Sequence, residues 1–277
     1  MLIIYGLTAN VSIGDLFSAA LLPGLLLAGL YTTYVLVRCQ LDPKAGPPAS
    51  LEERDIPAAE RRKLTIGLIL PLFVIIWVLG AIYAGIASVS EAAAMGVIGA
   101  AIAAYVRGEL SWEMVRGALY RTMNTAGMLL WLTIGANALI GVYNLLGGST
   151  FIQQSIVGLD MEPLSIILLM MLILIILGLF IDWIGIVLLT MPIFVPIIVS
   201  LGYDPIWFGV LFCMNMQISY LSPPFGPACF YLKSVAPPDV TLNEIFAAMS
   251  PFILLQIIGM LLVLFYPNIA LWLPSVL

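Results

Sequence analysis

The sequence predicts an all-α integral membrane protein in which one helix is broken inside the bilayer. Of its 277 residues, 62% are hydrophobic and 9% are charged, and the mean hydropathy is +1.14. A chain with so few charges cannot cover a soluble globule of this size with polar surface. One apolar stretch, Ile218–Tyr231, nonetheless holds three prolines and a glycine within five residues. These observations predict several membrane crossings and an interruption in one of them.

The composition also excludes several classes of function. The net charge is −5 and the pI is about 4.6, so no basic face is available to bind nucleic acid. Histidine is absent, and Cys39, Cys213 and Cys229 lack the spacing of a metal site or a disulfide framework. No nucleophile–base pair and no pair of aspartates stands out. We therefore expect neither an enzyme nor an organic cofactor.

Apolar spans follow one another along the whole chain. A bilayer crossing needs about 20 apolar residues, so the chain has room for several crossings. The predicted spans are Leu16–Val37, Leu64–Ala84, Ala92–Val106, Gly127–Leu146, Leu164–Ile181, Ile184–Val199, Trp207–Tyr220 and Pro251–Tyr266.

The basic residues predict the orientation of these spans. Segment 38–63, rich in proline, alanine and charge, is expected to be a solvated cytoplasmic loop rather than a domain. A second basic group lies two crossings later, within 107–121, and belongs on the same side. The opposite connections, 83–91 and 147–162, contain no lysine or arginine. The first span is therefore expected to run inward, and the following spans alternate.

The run Leu164–Ser200 is too long for one crossing and has no polar loop that would make it two ordinary ones. A turn facing the cytoplasm should carry lysine or arginine, and this one carries neither. We therefore predict a re-entrant helical hairpin with Asp182–Gly185 at its tip and with Pro192 and Pro196 kinking the returning arm. Two short transmembrane helices around a minimal turn remain an alternative.

Asp182 is the single charge in this run. A carboxylate inside the membrane is a candidate functional group, because removing it from water is costly. It could equally cap the N-terminus of the second arm. The sequence leaves both interpretations open.

The proline-rich stretch predicts where the backbone unwinds. Pro223, Pro224 and Pro227 supply no backbone N–H, and each disfavours helix in the residue before it. Carbonyl oxygens freed at this depth cannot face lipid, but they can line a polar cavity. Secondary transporters commonly build substrate or ion sites from such broken helices.

The chain also repeats itself. Val11–Ala19 matches Val240–Ala248 in residue type, and each copy is followed by a proline and an apolar span. Both copies have capping-box spacing, which predicts an amphipathic interfacial helix leading into the next span. The predicted orientation puts the copies on opposite membrane faces, as in an inverted-topology repeat. Chance convergence of two capping boxes is the alternative.

The two copies differ in what precedes them. The second follows the broken helix, whereas only residues 1–10 precede the first. Leu2–Gly6 would then be the tail of a matching broken helix, so the sequence is expected to be truncated or to have a misassigned start.

Five motifs of the chain are Ser222–Gly226, Phe180–Gly185, Val89–Gly96, Ile3–Gly6 with Ser12–Phe17, and the closing Tyr266–Pro274. Together they resemble the large permease subunit of tripartite ATP-independent periplasmic (TRAP) transporters. The resemblance covers essentially the whole chain but only the C-terminal part of such a subunit, since the family's first hairpin and first proline-rich break have no counterpart here.

The resemblance implies an elevator-type secondary transporter in the bacterial inner membrane. A mobile domain of hairpins and broken helices would carry a small organic anion, such as a carboxylate, together with sodium as coupling ion. A periplasmic solute-binding protein would deliver the substrate, and a small four-helix membrane subunit would complete the scaffold. A channel-like or purely structural membrane subunit is the alternative, although proline breaks favour an occluded site over a pore.

The same resemblance suggests a division of the chain into segments with different roles. The predicted segments are 1–15 (end of the first broken helix and interfacial helix), 16–126 (scaffold helices with the cytoplasmic loop), 127–163 (transmembrane helix and connector), 164–237 (hairpin plus broken helix, part of the transport domain) and 238–277 (interfacial helix and last transmembrane helix).

The candidate site lies where the hairpin should face the break. Backbone and hydroxyl oxygens at the break, together with groups on the hairpin, would bind substrate, and some of them sodium. Two amides before the break could contact substrate or form helix–helix hydrogen bonds, and both options are open. The candidates are Asp182, Gly185, Thr190, Asn215, Gln217, Ser222, Pro223, Pro224 and Gly226, with sodium expected at Gly185, Thr190, Ser222 and Gly226.

Other polar residues receive structural roles. Lys233 could attract an anion or snorkel to the interface. Glu91 is expected to cap a helix whose small residues, including Gly96 and Gly99, allow close packing. Four tryptophans are expected to be interfacial anchors or packing residues: Trp112, Trp131, Trp207 and Trp272.

Overall fold

The apolar spans of the sequence form helices. A computed structural model describes residues 1–43, 46, 57–148, 151, 162–224, 226–237 and 239–276, and these residues form helices and turns without a strand. The helices are α1 Leu2–Ala9, α2 Ile13–Leu41, α3 Ala58–Tyr83, α4 Val89–Val106, α5 Trp112–Leu145, α6 Pro163–Gly178, α7 Trp183–Ser200, α8 Pro205–Leu221, α9 Pro227–Val235, α10 Leu242–Phe265 and α11 Asn268–Val276.

Five of these helices, α2, α4, α5, α7 and α10, are long and apolar enough to cross a membrane. The predicted all-α membrane class is therefore confirmed. Of the predicted loop 38–63, residues 38–41 form the end of α2 and residues 58–63 the start of α3, whereas residues 44–45 and 47–56 lie outside the described residues.

The contacts divide the chain into two units, the first formed by 1–33 with 129–277 and the second by 34–128. Both boundaries fall inside long helices, α2 and α5. The segment predicted as scaffold, 16–126, is thus divided, because Leu16, Ala19 and Leu27 are buried in the core of the first unit. The functional roles given to these segments stay predictions.

Helix α5 is longer than the span predicted for this part of the chain. That span begins at Gly127, whereas the helix begins at Trp112 and runs for 34 residues, about 51 Å at 1.5 Å per residue. No proline interrupts this stretch, and the Ser111 hydroxyl accepts a hydrogen bond from the Met114 N–H at 3.1 Å. The helix therefore continues through Arg116 and Arg121, which composition alone had placed outside the span.

In the second unit, α3 packs against α4 through the small residues of α4. A methyl group added at Gly99 would lie 3.0 Å from a Val74 methyl, and one added at Gly96 would lie 3.4 Å from Val78. Glycine at these positions therefore allows the valines of α3 to approach closely, as predicted.

Helix α4 begins with a complete capping box. The Ser88 N–H donates to Glu91 Oε2 at 2.7 Å, and the Glu91 N–H donates to Ser88 Oγ at 3.4 Å. This confirms the capping role predicted for Glu91. The two bonds satisfy backbone donors that the first helical turn leaves unpaired.

We expect Ser88→Ala to lower the free energy of unfolding by about 1 kcal/mol, because it removes the hydroxyl oxygen that accepts from the Glu91 N–H. The measurement is denaturant unfolding of the purified protein in detergent. Ser90→Ala is the matched control, since Ser90 lies on the same exposed turn and does not cap the helix. An equal loss in both variants would contradict the capping role.

The core of the first unit is built around α8. Its side chains Trp207, Phe208 and Phe212 are almost completely buried, and it packs against α1, α6, α7, α9, α10 and α11. The ring of Tyr5 lies against Gly209, where an added methyl group would come within 2.5 Å of the ring. The Tyr5 hydroxyl donates to the carbonyl of Pro205 at 2.6 Å.

Proline chemistry explains both the end of α10 and the position of Trp207. Pro267 has no N–H to donate to the carbonyl four residues earlier, at Val263. The indole N–H of Trp207 donates to that carbonyl instead, at 2.9 Å. Trp207 is therefore a packing residue, whereas Trp112, Trp131 and Trp272 are largely exposed. A short helix, α11, follows the proline and was not predicted.

The two copies of the repeat begin α2 and α10. Thr241 and Glu244 form a reciprocal capping box, and Ser12 accepts a hydrogen bond from the Asp15 N–H at 3.2 Å. The expected separate interfacial helices are not seen, since α2 runs through Pro23 and α10 through Pro251 without ending. An internal proline removes one hydrogen bond and bends a helix, and packing on the core can keep the helix continuous.

Helices α2 and α10 contact each other in an antiparallel sense. Leu27 lies against Gly259, whereas Tyr31, one turn further along α2, contacts Gln256 and Phe252. The residue numbers of the contacts thus rise along α2 while they fall along α10.

Candidate functional site

The broken helix is present where the prolines predict it. Helix α8 ends at Leu221 and α9 begins at Pro227. Ser222 is extended, with φ −89° and ψ 140°, and Gly226 has a positive φ of 29°. An uninterrupted helix through this region is therefore excluded. Phe225 lies outside the described residues.

The prolines select which carbonyl oxygens lose their helical partners. In a continuous helix the carbonyls of Ser219 and Tyr220 would accept from residues 223 and 224, and both are prolines. The Ser219 carbonyl instead accepts from the Ser222 N–H at 3.2 Å. The Ser222 hydroxyl turns back to the carbonyl of Ile218 at 2.7 Å. The break therefore places backbone and hydroxyl oxygens together at the end of α8.

Gly226 is required at the break for steric reasons. A methyl group at this position would lie 2.6 Å from the ring of Phe246 and 3.0 Å from the Ser222 carbonyl oxygen. Its positive φ also disfavours any side chain. Phe246 belongs to the second copy of the repeat, so α10 packs directly on the break.

The turn between α6 and α7 carries Asp182. Its carboxylate accepts a hydrogen bond from the Ile184 N–H at 3.2 Å, and it caps α7. One of the two predicted roles is therefore present in the structure. The side chain remains exposed, so its carboxylate is also available to a ligand.

This turn and the break meet in one narrow cleft, which has room for about one water molecule. Gly178 at the end of α6 makes the contact possible, because an added methyl group would lie 2.2 Å from Ser219 Oγ. The cleft is lined by Gly178, Ile181, Asp182, Trp183, Met216, Ser219, Tyr220 and Pro227.

The other predicted site residues divide into those near the cleft and those directed elsewhere. Ser222, Pro223, Pro224 and Gly226 form the break beside it. Thr190 lies two turns into α7, buried, with its hydroxyl bonded to the Ile186 carbonyl at 2.7 Å. Of the nine predicted site residues, Asp182 is the one found among the described residues that line the cleft.

Both predicted amides make helix–helix hydrogen bonds. Asn215 is fully buried, and its Nδ2 donates to the Met171 carbonyl on α6 at 2.9 Å. Its Oδ1 has no hydrogen-bond partner among the described residues. Gln217 accepts a hydrogen bond from Gln256 on α10. Both amides thus form helix–helix hydrogen bonds, one of the two options that the sequence left open. Contact of either amide with a substrate stays a prediction.

Lys233 lies in the last turn of α9. Its ammonium group donates to the Val240 carbonyl at 2.5 Å and so joins the end of α9 to the start of the second repeat copy. A cation at this position also interacts favourably with the C-terminal end of the helix.

A family model described as "Tripartite ATP-independent periplasmic transporter, DctM component" matches residues 1–269. The chain belongs to this family.

Relatives within the family agree over nearly the whole chain. The chain is 30% identical to the C4-dicarboxylate TRAP transporter large permease protein DctM of Pseudomonas aeruginosa, over 99% of this chain and 63% of that protein. It is 28% identical to the sialic acid TRAP transporter large permease protein SiaM of Vibrio cholerae, over 99% and 62% respectively. It is 27% identical to the isethionate TRAP transporter permease protein DctMQ of Oleidesulfovibrio alaskensis, over 96% and 41%.

The chain thus spans 41% to 63% of the length of these three relatives. The resemblance to a TRAP large permease seen in the sequence is confirmed. The family of this chain and its apolar helices together identify the chain as a multi-pass protein of the bacterial inner membrane.

Several residues of this TRAP family member were missed by sequence reasoning. Gly178, Ser219 and Tyr220 line the cleft but were not among the candidate site residues. Ser219 could have been found, because it follows Asn215 by four residues and so shares its helix face. Gly178 could not, since only the packing of α6 on α8 shows why it must lack a side chain.

The first unit of this TRAP permease chain also contains a larger cavity, of about 340 Å³, formed by α1, α5 and α7. Most of its wall is apolar, and the hydroxyls of Thr8 and Thr133 are bonded to carbonyls of their own helices. Its lining residues are Ile4, Leu7, Thr8, Leu129, Thr133, Ala136, Asn137, Leu188 and Pro192.

Proposed function

We propose that the chain is part of the permease of a sodium-coupled secondary transporter that imports small organic anions. One observation carries the proposal: the Asp182 turn and the proline break meet in a single cleft. Oxygen atoms suit sodium, and the break supplies carbonyl and hydroxyl oxygens at one place. Of the residues expected to bind sodium, Ser222 and Gly226 belong to the break. Gly185 and Thr190 would reach a sodium ion there only after a rearrangement.

Names among the relatives support the proposed substrate class. C4-dicarboxylates, sialic acid and isethionate, named for three of them, are organic acids that are anionic at neutral pH. A periplasmic solute-binding protein would deliver the anion, and a small four-helix membrane subunit would complete the assembly.

The transport cycle in this proposal is of the elevator type. The helices α6 and α7 act as a re-entrant hairpin and move with the broken helix. The antiparallel contact between α2 and α10 supports an inverted repeat. If each residue of the pair Leu27–Gly259 is replaced by the residue at the same position of the other copy, the result lies within one residue of the pair Tyr31–Gln256, and the reverse also holds.

The test is uptake by proteoliposomes that hold the complete permease, its small membrane subunit and its binding protein. The probes are radiolabelled succinate, sialic acid and isethionate. At least one is expected to enter saturably under an inward sodium gradient and to stop entering when choline replaces sodium. Flux that neither saturates nor needs sodium would favour a channel, and no flux would favour a structural subunit.

The site assignment is tested in the same vesicles. Asp182→Ala and Ser222→Ala are each expected to lower uptake about tenfold, the effect of losing one hydrogen bond or ligand to a charged group. Asp204→Ala is the matched control, because Asp204 caps α8 as Asp182 caps α7 but does not line the cleft. Equal uptake by the parent and both variants would show that the assignment is wrong.

A further inference from the structure

Three polar side chains join α2, α10 and α8 inside the first unit, and none of them lines the cleft. The Tyr31 hydroxyl donates to Oε1 of Gln256. Nε2 of Gln256 donates to Oε1 of Gln217 and, at 3.4 Å, to the backbone carbonyl of Met214. Gln256 is 1% exposed and therefore lies in the apolar interior.

Both polar atoms of the Gln256 amide are hydrogen-bonded. A glutamine amide offers two N–H donors and one carbonyl acceptor, and here each has a partner. Two of the partners belong to α8 and one to α2. A shift of α8 along its axis would leave a buried amide unpaired, which is unfavourable where water is absent.

These bonds act on the part of α8 that leads into the break. Gln217 precedes Ser222 by five residues, about 7.5 Å along the helix axis. The other side of α8 is bonded to α6 through Asn215. Leu27 of α2 lies against Gly259 of α10, one turn away from the bond between Tyr31 and Gln256, so the two helices touch at both positions.

Apolar contacts alone would not define the axial position of α8 so sharply. A hydrogen bond is lost within about 1 Å of displacement, so the bonds of Gln256 add a directional constraint to the steric fit of α8. A buried polar residue can set the register between helices for this reason.

We infer that Gln256 is a positioning residue, which, with its amide oriented by Tyr31, sets the depth of α8 and so holds the break opposite Asp182. Its effect on uptake rests on the proposed function. Its effect on the break does not, and the two can be measured separately.

The break can be followed with a cysteine that is already present. Cys229, 1% exposed, lies just after the break with Sγ 3.5 Å from the Leu221 carbonyl. In a chain carrying Cys39→Ala and Cys213→Ala, the rate at which N-ethylmaleimide alkylates Cys229 in membranes reports the opening of the break. No substrate, sodium or partner protein is needed.

Gln256→Leu is expected to raise this rate about fivefold, the effect of losing one hydrogen bond of average strength. Gln217→Leu should raise it in the same direction, and the double variant should react no faster than Gln256→Leu alone, because both changes break one connection. Leu254→Ala, exposed on the same helix, is the control and should react at the parent's rate.

A general loosening of the fold would have a different signature. In a background without the three native thiols, Ala270→Cys places a thiol at a fully buried position on α11. Its alkylation should stay at the parent's rate when Gln256 is replaced by leucine. An equal increase at residues 229 and 270 would overturn the positioning role, as would an unchanged rate at Cys229.

Uptake measurements complete the test. Gln256→Leu is expected to raise KM for the probe more than it lowers the maximal rate, because the binding site is displaced while the carrier stays intact. A parent chain that takes up none of the probes would overturn the proposed function and leave the alkylation result valid. A faster alkylation with an unchanged KM would overturn the link between Gln256 and the site.

Discussion

Replacing Pro223 and Pro224 together by alanine is expected to abolish uptake while the protein remains folded. Alanine supplies the two N–H groups that the carbonyls of Ser219 and Tyr220 would bind in a continuous helix. Each proline disfavours a helix interior by about 3 kcal/mol relative to alanine, so the double change shifts the balance toward a continuous helix by up to about 6 kcal/mol.

The expected loss of uptake is at least about a hundredfold, because a displacement of about 1 Å in a binding site can have that effect. Hydrogen exchange of the purified protein supplies the second measurement. The amides of Gly226 and of the first turn of α9, residues 228–230, should become more protected in the variant than in the parent, in which α9 starts anew after the break.

Pro205→Ala is the matched control for this prediction. Pro205 occupies the first turn of α8, where a missing N–H breaks no helical bond. Its replacement should leave both uptake and protection near the parent's values. Retained uptake in the double proline variant would contradict the role of the break.

Gly178→Ala is expected to destabilise the protein and to separate the hairpin turn from the break. The added methyl group would lie 2.2 Å from Oγ and 2.5 Å from Cβ of Ser219, so one of the two helices must move. Overpacking of this kind costs about 1–3 kcal/mol of stability. Uptake should fall as well, because α6 and α8 frame the cleft.

A second change should restore the contact. Ser219→Gly removes the side chain that the new methyl group would meet, so the double variant Gly178→Ala/Ser219→Gly should recover most of the lost free energy of unfolding. Gly141→Ala is the control, since no atom lies within 4 Å of the added methyl group. It should be neutral or slightly stabilising. No recovery in the double variant would show that the clash lies elsewhere.

Much of the candidate site could be predicted from local chemistry. The break follows from three prolines that cannot donate, and the capping of α4, α7 and α10 follows from side chains that reach backbone N–H groups two or three residues away. The partners of Asn215 and Gln217 could not be predicted, since Met171 and Gln256 lie about 40 residues away from them.

Composition and proline placement by themselves determined that this protein lies in the membrane and that one helix breaks at Ser222. These features depend on transfer from water and on missing N–H groups, which are properties of each residue. Only the tertiary structure decided that Gly178 touches Ser219, that Trp207 takes the carbonyl left by Pro267, and that α2 and α10 continue through their prolines. Such contacts depend on how helices distant in sequence pack together, and steric fit between them is not written in any local pattern.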